Sequence, residues 1–570
     1  MGWVAGGVAG ARWGATCFAV GEIGVAGWGG VGVILEGYWE TGRMAGQFDY
    51  IVVGAGSAGC VVANRLSVQG ASVLLLEAGG AGDALAVRVP AFMDALLDTP
   101  LDWGYRTVAQ AELGGRRIFL SRGKCLGGTS AINAMVYMRG NRGDFDGWRD
   151  LGNSGWGYDD VLPLFRKSEG NRAFDDAWHG TEGPLTVSSF AAASPIHAAF
   201  LAGAQAVGLP YNPDVNGAVQ DGCGPFQATL GPSGRCSTAV AFLNPVRGRA
   251  NLTVLTDAQV TRVVVEQGRA VGVEYVHMGQ SGDARAGAEI VLCGGAINSP
   301  QLLMLSGIGA ADDLTALGIR PVVDLPGVGQ NLQDHLQVVP RFEVAEPVTV
   351  YGMGADQAEV ETRASLNQGA GRYHTNFCEA GAFVRCDPAA AFADVQIHCE
   401  SNFSPYYFDG SGADRHGFGL LMNVCRPKSR GEVRLHSANP LERPLIDPRY
   451  LSDPADVALS IAGVRVCLEI GASEAMAGIG AQRVNPDPGA ASDAEILAFI
   501  RQTATTIWHP VGTCKMGVDA MAVVDPALRV RGVAGLRVAD ASVMPVIVSG
   551  NTNATCIMIG EKVAEMILTG

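Results

Sequence analysis

Two short apolar runs on either side of an amphipathic stretch give the chain its first readable unit. Phe48-Asp49-Tyr50-Ile51-Val52-Val53 is apolar and rich in β-branched side chains, which suits a central parallel strand. Ser72-Val73-Leu74-Leu75-Leu76 repeats the pattern. Between them the residues from Ala58 to Leu66 predict a helix, and Gly70 is placed to end it. At the far end Ile559, Val563, Met566 and Ile567 fall at i, i+4, i+7 and i+8, the stripe of a packed C-terminal helix. Residues 1–46 keep no such period. They hold fourteen glycines and four of the nine tryptophans, and Glu22 interrupts their apolar stretch. They lack the basic, apolar and small-residue order of a signal peptide and the unbroken length of a membrane span. We read them as an extension upstream of a natural start at Met44; the alternative is a leader or membrane-surface segment.

The turn between the first strand and the helix is Gly54-Ala55-Gly56-Ser57-Ala58-Gly59, a G-x-G-x-x-G. In such a turn the first glycine makes the bend, the second lets a pyrophosphate approach the backbone, and the third lets the helix pack on the strand. The helix N-terminus would hold the pyrophosphate. Glu77 ends the second strand 18 residues after Gly59, where a carboxylate can accept ribose hydroxyls. Strand, glycines, helix, strand and acid arrive together, which predicts dinucleotide binding.

Composition removes several alternatives. The chain has 570 residues, ample for a large core and more than one domain, with 48% hydrophobic and 17% charged residues, unlike a disordered polyelectrolyte. Its net charge of −15 opposes nucleic acid as a partner. The 13 cysteines are scattered, without C-x-x-C or Cys/His clusters, and read as reduced thiols of a cytoplasmic protein with no metal site.

Further motifs follow in order: Arg122-Gly123-Lys124-Cys125-Leu126-Gly127-Gly128-Thr129-Ser130-Ala131-Ile132-Asn133-Ala134; Gly294-Gly295-Ala296-Ile297-Asn298-Ser299-Pro300; and Pro326-Gly327-Val328-Gly329-Gln330-Asn331-Leu332-Gln333-Asp334-His335. The C-terminal third adds Trp508-His509-Pro510-Val511-Gly512-Thr513, Leu536-Arg537-Val538-Ala539-Asp540 and Gly550-Asn551-Thr552-Asn553-Ala554. Together with the first loop these strongly resemble the glucose–methanol–choline (GMC) family of FAD oxidoreductases, from about Phe48 to Leu568, and within it the choline dehydrogenase-like bacterial alcohol dehydrogenases.

The resemblance implies an α/β fold: a Rossmann-like FAD-binding domain with an inserted α+β substrate domain built on an antiparallel sheet. By analogy residues 47–150, 236–340 and 496–570 would form the first, and 151–235 and 341–495 the second. It implies that His509 is the base that takes the hydroxyl proton of an alcohol, that Asn551 is its partner, and that flavin N5 accepts the hydride. A neutral imidazole suits that role because its ordinary pKa of about 6.5 lies near working pH. Cofactor contacts would come from Gly54, Gly56, Ser57, Ala58, Gly59, Glu77, Arg122, Gly127, Gly128, Thr129, Asn133, Ala134, Val260, Asp540, Asn551, Thr552 and Asn553. The other eight histidines, His335 and His398 among them, read as surface or hydrogen-bonded core.

Some relatives tether FAD through a histidine at the place that Ile132 occupies here, so FAD is expected to be non-covalent. Glu379, in Asn376-Phe377-Cys378-Glu379-Ala380-Gly381, resembles a stretch of choline dehydrogenases. It could attract a quaternary ammonium, with Tyr406 and Tyr407 supplying cation–π contacts, or it could be structural. Cys425, in a Cys-Arg-Pro context shared with a light-driven decarboxylating branch, reads as a small buried residue. The expected activity is oxidation of a primary alcohol to the aldehyde, with electrons passed to a quinone or other acceptor and, with a quinone, peripheral contact with the inner membrane. Choline dehydrogenase proper, alcohol oxidase and hydroxynitrile lyase on the same fold are the alternatives. The motifs leave the oligomeric state open.

Overall fold

The computed structural model describes residues 39–40, 43–44, 46–189, 194–403, 415–490 and 492–570. Most of the glycine-rich extension, and Tyr406 and Tyr407, lie outside them. The fold is of mixed α/β class, as expected, and rests on two large sheets.

The first sheet grows from the predicted unit. Strand β1 (Gln47–Val53) leads through the glycine turn into helix α1 (Gly59–Leu66), and β2 (Val73–Leu76) returns parallel to β1. Gly70 follows the helix with φ of 85°, a left-handed stop that a side chain would resist. Strand β3 (Leu252–Leu255) adds to β2 in parallel. Strands β4 (Ala258–Glu266), β5 (Arg269–His277) and β6 (Gln280–Leu292) form an antiparallel meander whose last member runs parallel to β1. The strand Leu536–Val538 pairs in parallel with β6. Ile51, Val52, Leu74, Leu75, Ile290 and Val291 are fully enclosed here, which explains their unbroken apolar runs. The carboxyl ends of the parallel strands meet at one edge, delivering the glycine turn after β1, Glu77 after β2, Gly294 and Gly295 after β6, and Asp540 after the last strand. Ligands of open α/β sheets bind at that edge.

The second sheet has eight strands, and its described pairings are all antiparallel. Its centre is β7 (Leu336–Val338), β8 (Ala380–Val384), β9 (Val395–Glu400) and β10 (Gly417–Val424), in spatial order β8-β9-β10-β7. One face is apolar. Val338, Ala382, Ile397, Cys399, Leu420 and Met422 pack against helices α2 (Pro195–Ala206) and α3 (Pro454–Gly471) through Phe200, Val464 and Ile470. Side chains alternate along a strand, so the intervening residues Gln337, Gln396, His398, Glu400 and Asn423 share the opposite face. That face is buried as well, each of the five being at most 1% exposed. It looks toward the carboxyl edge of the first sheet, where helix α4 (Asn553–Thr569) begins. Helix α4 packs on α1 and carries the predicted stripe, with Ile559 and Val563 buried and Met566 and Ile567 partly so.

No helix among the described residues is long and apolar enough to cross a membrane. The twelve described cysteines are all free thiols.

Candidate active site

A cleft of about 1640 Å³, counted out to where it opens to solvent, runs along the carboxyl edge of the first sheet as far as His509 and Asn551. Its lining includes Gly54, Gly56, Ser57, Ala58, Glu77, Arg122, Gly128, Thr129, Asn133, Ala134, Val260, Asp540, Thr552 and Asn553, together with His509 and Asn551. The structure therefore brings together residues from one end of the sequence to the other. Three predicted contacts lie elsewhere. Gly59 and Gly127 sit behind the lining: a Cβ on Gly59 would fall 1.9 Å from the Gly54 carbonyl, and the Gly127 amide donates to the Ala55 carbonyl at 2.8 Å. Both shape the floor without facing the cleft. Glu379 is also outside the lining, because it turns to the His197 imidazole at 3.4 Å.

The dinucleotide end fits the expected cofactor. Helix α1 has no side chain capping its first turn, and the residues that lead into it, Gly56, Ser57 and Ala58, line the cleft, as an anion site at a helix N-terminus requires. Gly128, at φ of 52°, brings the second glycine motif against the first; a Cβ there would meet the Gly56 Cα at 2.6 Å. The Glu77 carboxylate accepts from the Ala55 and Gly79 amides at 2.8 and 2.9 Å and keeps its remaining lone pairs for hydroxyl donors. Burial pushes its carboxyl up to about 7 against those amides. Asp540 accepts from the Gly295 amide, the Ser299 hydroxyl and the Ser542 amide, at 2.8, 2.6 and 2.8 Å. Ser57 donates to Asn553 at 2.7 Å, tying the start of α1 to the start of α4. Ile132 lines the cleft and carries no nucleophile.

At the other end three imidazoles and a carboxamide form a continuous chain. His509 Nδ1 lies 2.9 Å from His335 Nδ1, and His509 Nε2 lies 3.3 Å from Asn551 Nδ2. His335 Nε2 lies 2.9 Å from the Cys425 carbonyl oxygen. The proton positions follow from the ends. A carbonyl only accepts, so His335 Nε2 carries a proton and donates. In neutral His335 the Nδ1 is then a bare acceptor, so His509 Nδ1 carries the proton between the two rings. The Nε2 of neutral His509 is left unprotonated at the cleft, where its lone pair accepts from the Asn551 amide. That amide is oriented in turn, because Asn551 Oδ1 accepts from Gln396 Nε2 at 3.2 Å and from His398 Nε2 at 3.3 Å.

Electrostatics keep these rings neutral. Burial lowers His509 well below its ordinary 6.5, and the neighbouring His335, His398 and Arg122 lower it further. Burial likewise pushes His335 and His398 down to about 4.

The backbone holds the pair as firmly as the side chains do. Asp334 Oδ1 accepts the backbone amides of both His335 and His509, at 3.0 and 2.8 Å, while its Oδ2 accepts the Tyr450 and Thr506 hydroxyls, both at 2.5 Å. One carboxylate thus fastens the two histidine-bearing segments together. Trp508, just before His509, sits at φ of 63°, where an aromatic residue is strained. Its amide donates to Thr506 Oγ1 at 2.7 Å and its carbonyl accepts from Arg122, which fixes that conformation.

Sequence reasoning classed His335 and His398 as surface or hydrogen-bonded core. They are buried and hydrogen-bonded, but to His509 and Asn551. The signal was present in the run Val395-Gln396-Ile397-His398-Cys399-Glu400, whose strict alternation puts three polar side chains on one face. One described group could hold a metal ion: Asp176, His179 and Asp214. Both His179 nitrogens already face carboxylates, Glu169 at 3.0 Å and Asp214 at 2.9 Å. Burial acts to lower its pKa, yet these bonds raise it to about 9, so the ring is an imidazolium without a lone pair for a metal.

Comparison with known proteins agrees with this geometry. The profiles of the GMC oxidoreductase family match residues 48–337 and 427–560. An alcohol dehydrogenase [acceptor] from Pseudomonas putida is 43% identical over 92% of this chain and 96% of its own length. A mitochondrial choline dehydrogenase from Homo sapiens is 42% identical over 91% of this chain and 90% of its own. Among solved structures, pyridoxine 4-oxidase from Mesorbium loti superposes with a TM-score of 0.84 at 34% identity, covering 92% of this chain and 99% of that one.

Proposed function

This chain belongs to the GMC oxidoreductase family, and from that premise we propose that it oxidises a primary alcohol to the aldehyde with FAD held non-covalently in the cleft. The observation that carries the reading is the unprotonated His509 Nε2, paired with the Asn551 amide in a cleft floored by two glycine motifs. Bound FAD supplies the acceptor for the hydride that leaves the carbinol carbon.

The residues at the glycine end would hold the dinucleotide: the glycine turn and the uncapped start of α1 the pyrophosphate, Glu77 a ribose, and Asp540, Thr552 and Asn553 the portion nearer the reaction. His509 Nε2 takes the hydroxyl proton of the substrate. Asn551 Nδ2 donates to the same oxygen and stabilises negative charge as it develops there. His335 holds His509 in the tautomer that leaves Nε2 bare, and Asp334 holds both backbones. Enclosure of the pair, at 8% and 9% exposure, excludes bulk water.

The division into a cofactor part (47–150, 236–340, 496–570) and a substrate part (151–235, 341–495) belongs to the same proposal, with the second sheet as the roof of the site. The acceptor is a quinone or another carrier, in keeping with the likeness to an acceptor-linked alcohol dehydrogenase. Choline as substrate is the second reading, supported by the likeness to choline dehydrogenase.

Anaerobic stopped-flow mixing of the oxidised holoenzyme with a panel of primary alcohols including choline tests the proposal. Bleaching of the flavin band by an alcohol is expected. A flavin that stays oxidised with every member while a cyanohydrin is cleaved would establish the lyase alternative instead.

A further inference from the structure

A second buried carboxylate lies outside the cleft and gathers the two ends of the imidazole chain. Asp144 sits in the first turn of the helix Arg142–Asp150, where a negative charge suits the helix amides. Its side chain is wholly enclosed. Its Oδ2 accepts the Ser549 amide at 2.6 Å and the Asn141 amide at 2.8 Å. Its Oδ1 accepts the Ser549 hydroxyl at 2.8 Å and Arg426 Nη1 at 3.2 Å. Arg426 Nη1 also donates to Ser549 Oγ at 2.8 Å, which closes a ring of three side chains. The Ser549 carbonyl is held as well, by Gln220 Nε2 at 2.9 Å.

Ser549 comes two residues before Asn551. The residue between them is Gly550, at φ of 128°, a conformation that side chains resist. A Cβ there would lie 3.2 Å from the Met138 Cβ. With Ser549 fixed at its amide, hydroxyl and carbonyl, the backbone that carries Asn551 has little freedom. Arg426 directly follows Cys425, whose carbonyl accepts from His335 Nε2 at 2.9 Å. Arg426 is fixed a second time where its Nη2 donates to the Ala393 carbonyl at 3.1 Å. The ion pair thus fastens the carbonyl that ends the imidazole chain to the segment that bears the carboxamide. A buried ion pair contributes little net stability over an apolar replacement; its best-attested use is to fix a register.

We propose that Asp144, Arg426 and Ser549 are positioning residues for the reaction: they hold the Asn551 amide at the distance from His509 Nε2 at which both can meet the substrate oxygen. None of the three lines the cleft, so they act through Asn551 and touch neither substrate nor cofactor. The separation of Asn551 Nδ2 from His509 Nε2, 3.3 Å, is already long for a hydrogen bond and leaves no slack for a shift of the segment. A displacement of about 1 Å can cost about a hundredfold in rate. The Cys-Arg-Pro stretch gains a use in this way. Cys425 supplies the carbonyl that sets the His335 tautomer, and Arg426 ties that carbonyl to the carboxamide. All of this rests on the reading of the cleft as an alcohol-oxidising site.

A double-mutant cycle on the holoenzyme tests the proposal, read as the rate constant of anaerobic flavin reduction at a saturating concentration of the fastest alcohol of the panel. Ser549→Ala removes the hydroxyl shared by Arg426 and Asp144, and Asp144→Asn replaces an acceptor by a group that also donates. Each, in protein that retains its flavin, is expected to slow reduction roughly tenfold or more. The two are made separately so that one misfolded variant does not end the test. In an Asn551→Ala background the same substitutions are expected to change the rate less than about twofold, because the group they position is gone. Equal losses in both backgrounds would show a general structural role and overturn the inference. So would an undiminished rate in a folded single variant, or an Asn551→Ala protein as fast as the unsubstituted one; each of these leaves the oxidation of alcohols standing. An unsubstituted holoenzyme that no alcohol reduces overturns both.

Discussion

The two faces of the antiparallel sheet are equally hidden from water and do opposite things. On β9, Val395, Ile397 and Cys399 point to the helices, while Gln396, His398 and Glu400 share the opposite face, where Gln396 and His398 meet Asn551, and all six are at most 1% exposed. The first face stabilises: a fully buried Val, Leu or Ile contributes about 1.5–3 kcal/mol. The second is costly, because a buried polar atom without a partner loses about 1–3 kcal/mol. A sheet that served only as scaffold would have no reason to keep the second face polar. The difference teaches that burial by itself does not identify a core; the hydrogen-bond inventory of a buried face separates scaffold from site.

That contrast can be broken in several places. The largest effect is expected on the polar side, where His509→Ala should slow the reductive step by roughly 10²–10⁴-fold while the flavin stays bound, as read by stopped-flow absorbance. On the apolar side, Ile397→Ala should cost about 2–5 kcal/mol in chemical denaturation and leave the reduction rate of the folded protein nearly unchanged. Were that substitution to abolish reduction in folded protein, the two faces would not be separable. A smaller effect is expected at His335. His335→Gln should slow reduction by roughly tenfold to hundredfold, the range for partners that orient a functional imidazole, because His509 remains but its tautomer is less firmly set. A changed pH profile would accompany the loss, which a purely structural role would not produce.

Much of the first sheet was legible from the chain. Adjacent motifs encode it, and local rules apply: the β-branched run became β1, Gly70 took its left-handed stop, and the predicted helix and second strand each began one residue later than expected. The second sheet was less legible. Its strands come from stretches as far apart as Gly222–Pro225 and Thr505–Thr506, and pairing across such distances leaves no local periodic trace. The polar positions of β9 resemble a solvent-facing strand, since alternation reports two unlike faces without saying what covers them. His335 was hidden for a related reason: its role depends on a ring 174 positions away. Glu379 shows the converse, a residue singled out by motif that the fold turns toward His197.

The central claim is a neutral His509 whose Nε2 is unprotonated at the cleft, and the pH dependence of the flavin-reduction rate constant under a saturating alcohol tests it most directly. Burial, with His335, His398 and Arg122 adding to it, holds the His509 pKa well below 6.5, so the active, unprotonated form already prevails at that pH. The rate constant should therefore be flat from pH 6.5 upward and fall only on the acid side. A sigmoid rise centred at pH 7 or above would show a base that must first lose a proton, contrary to the buried chain of imidazoles described here.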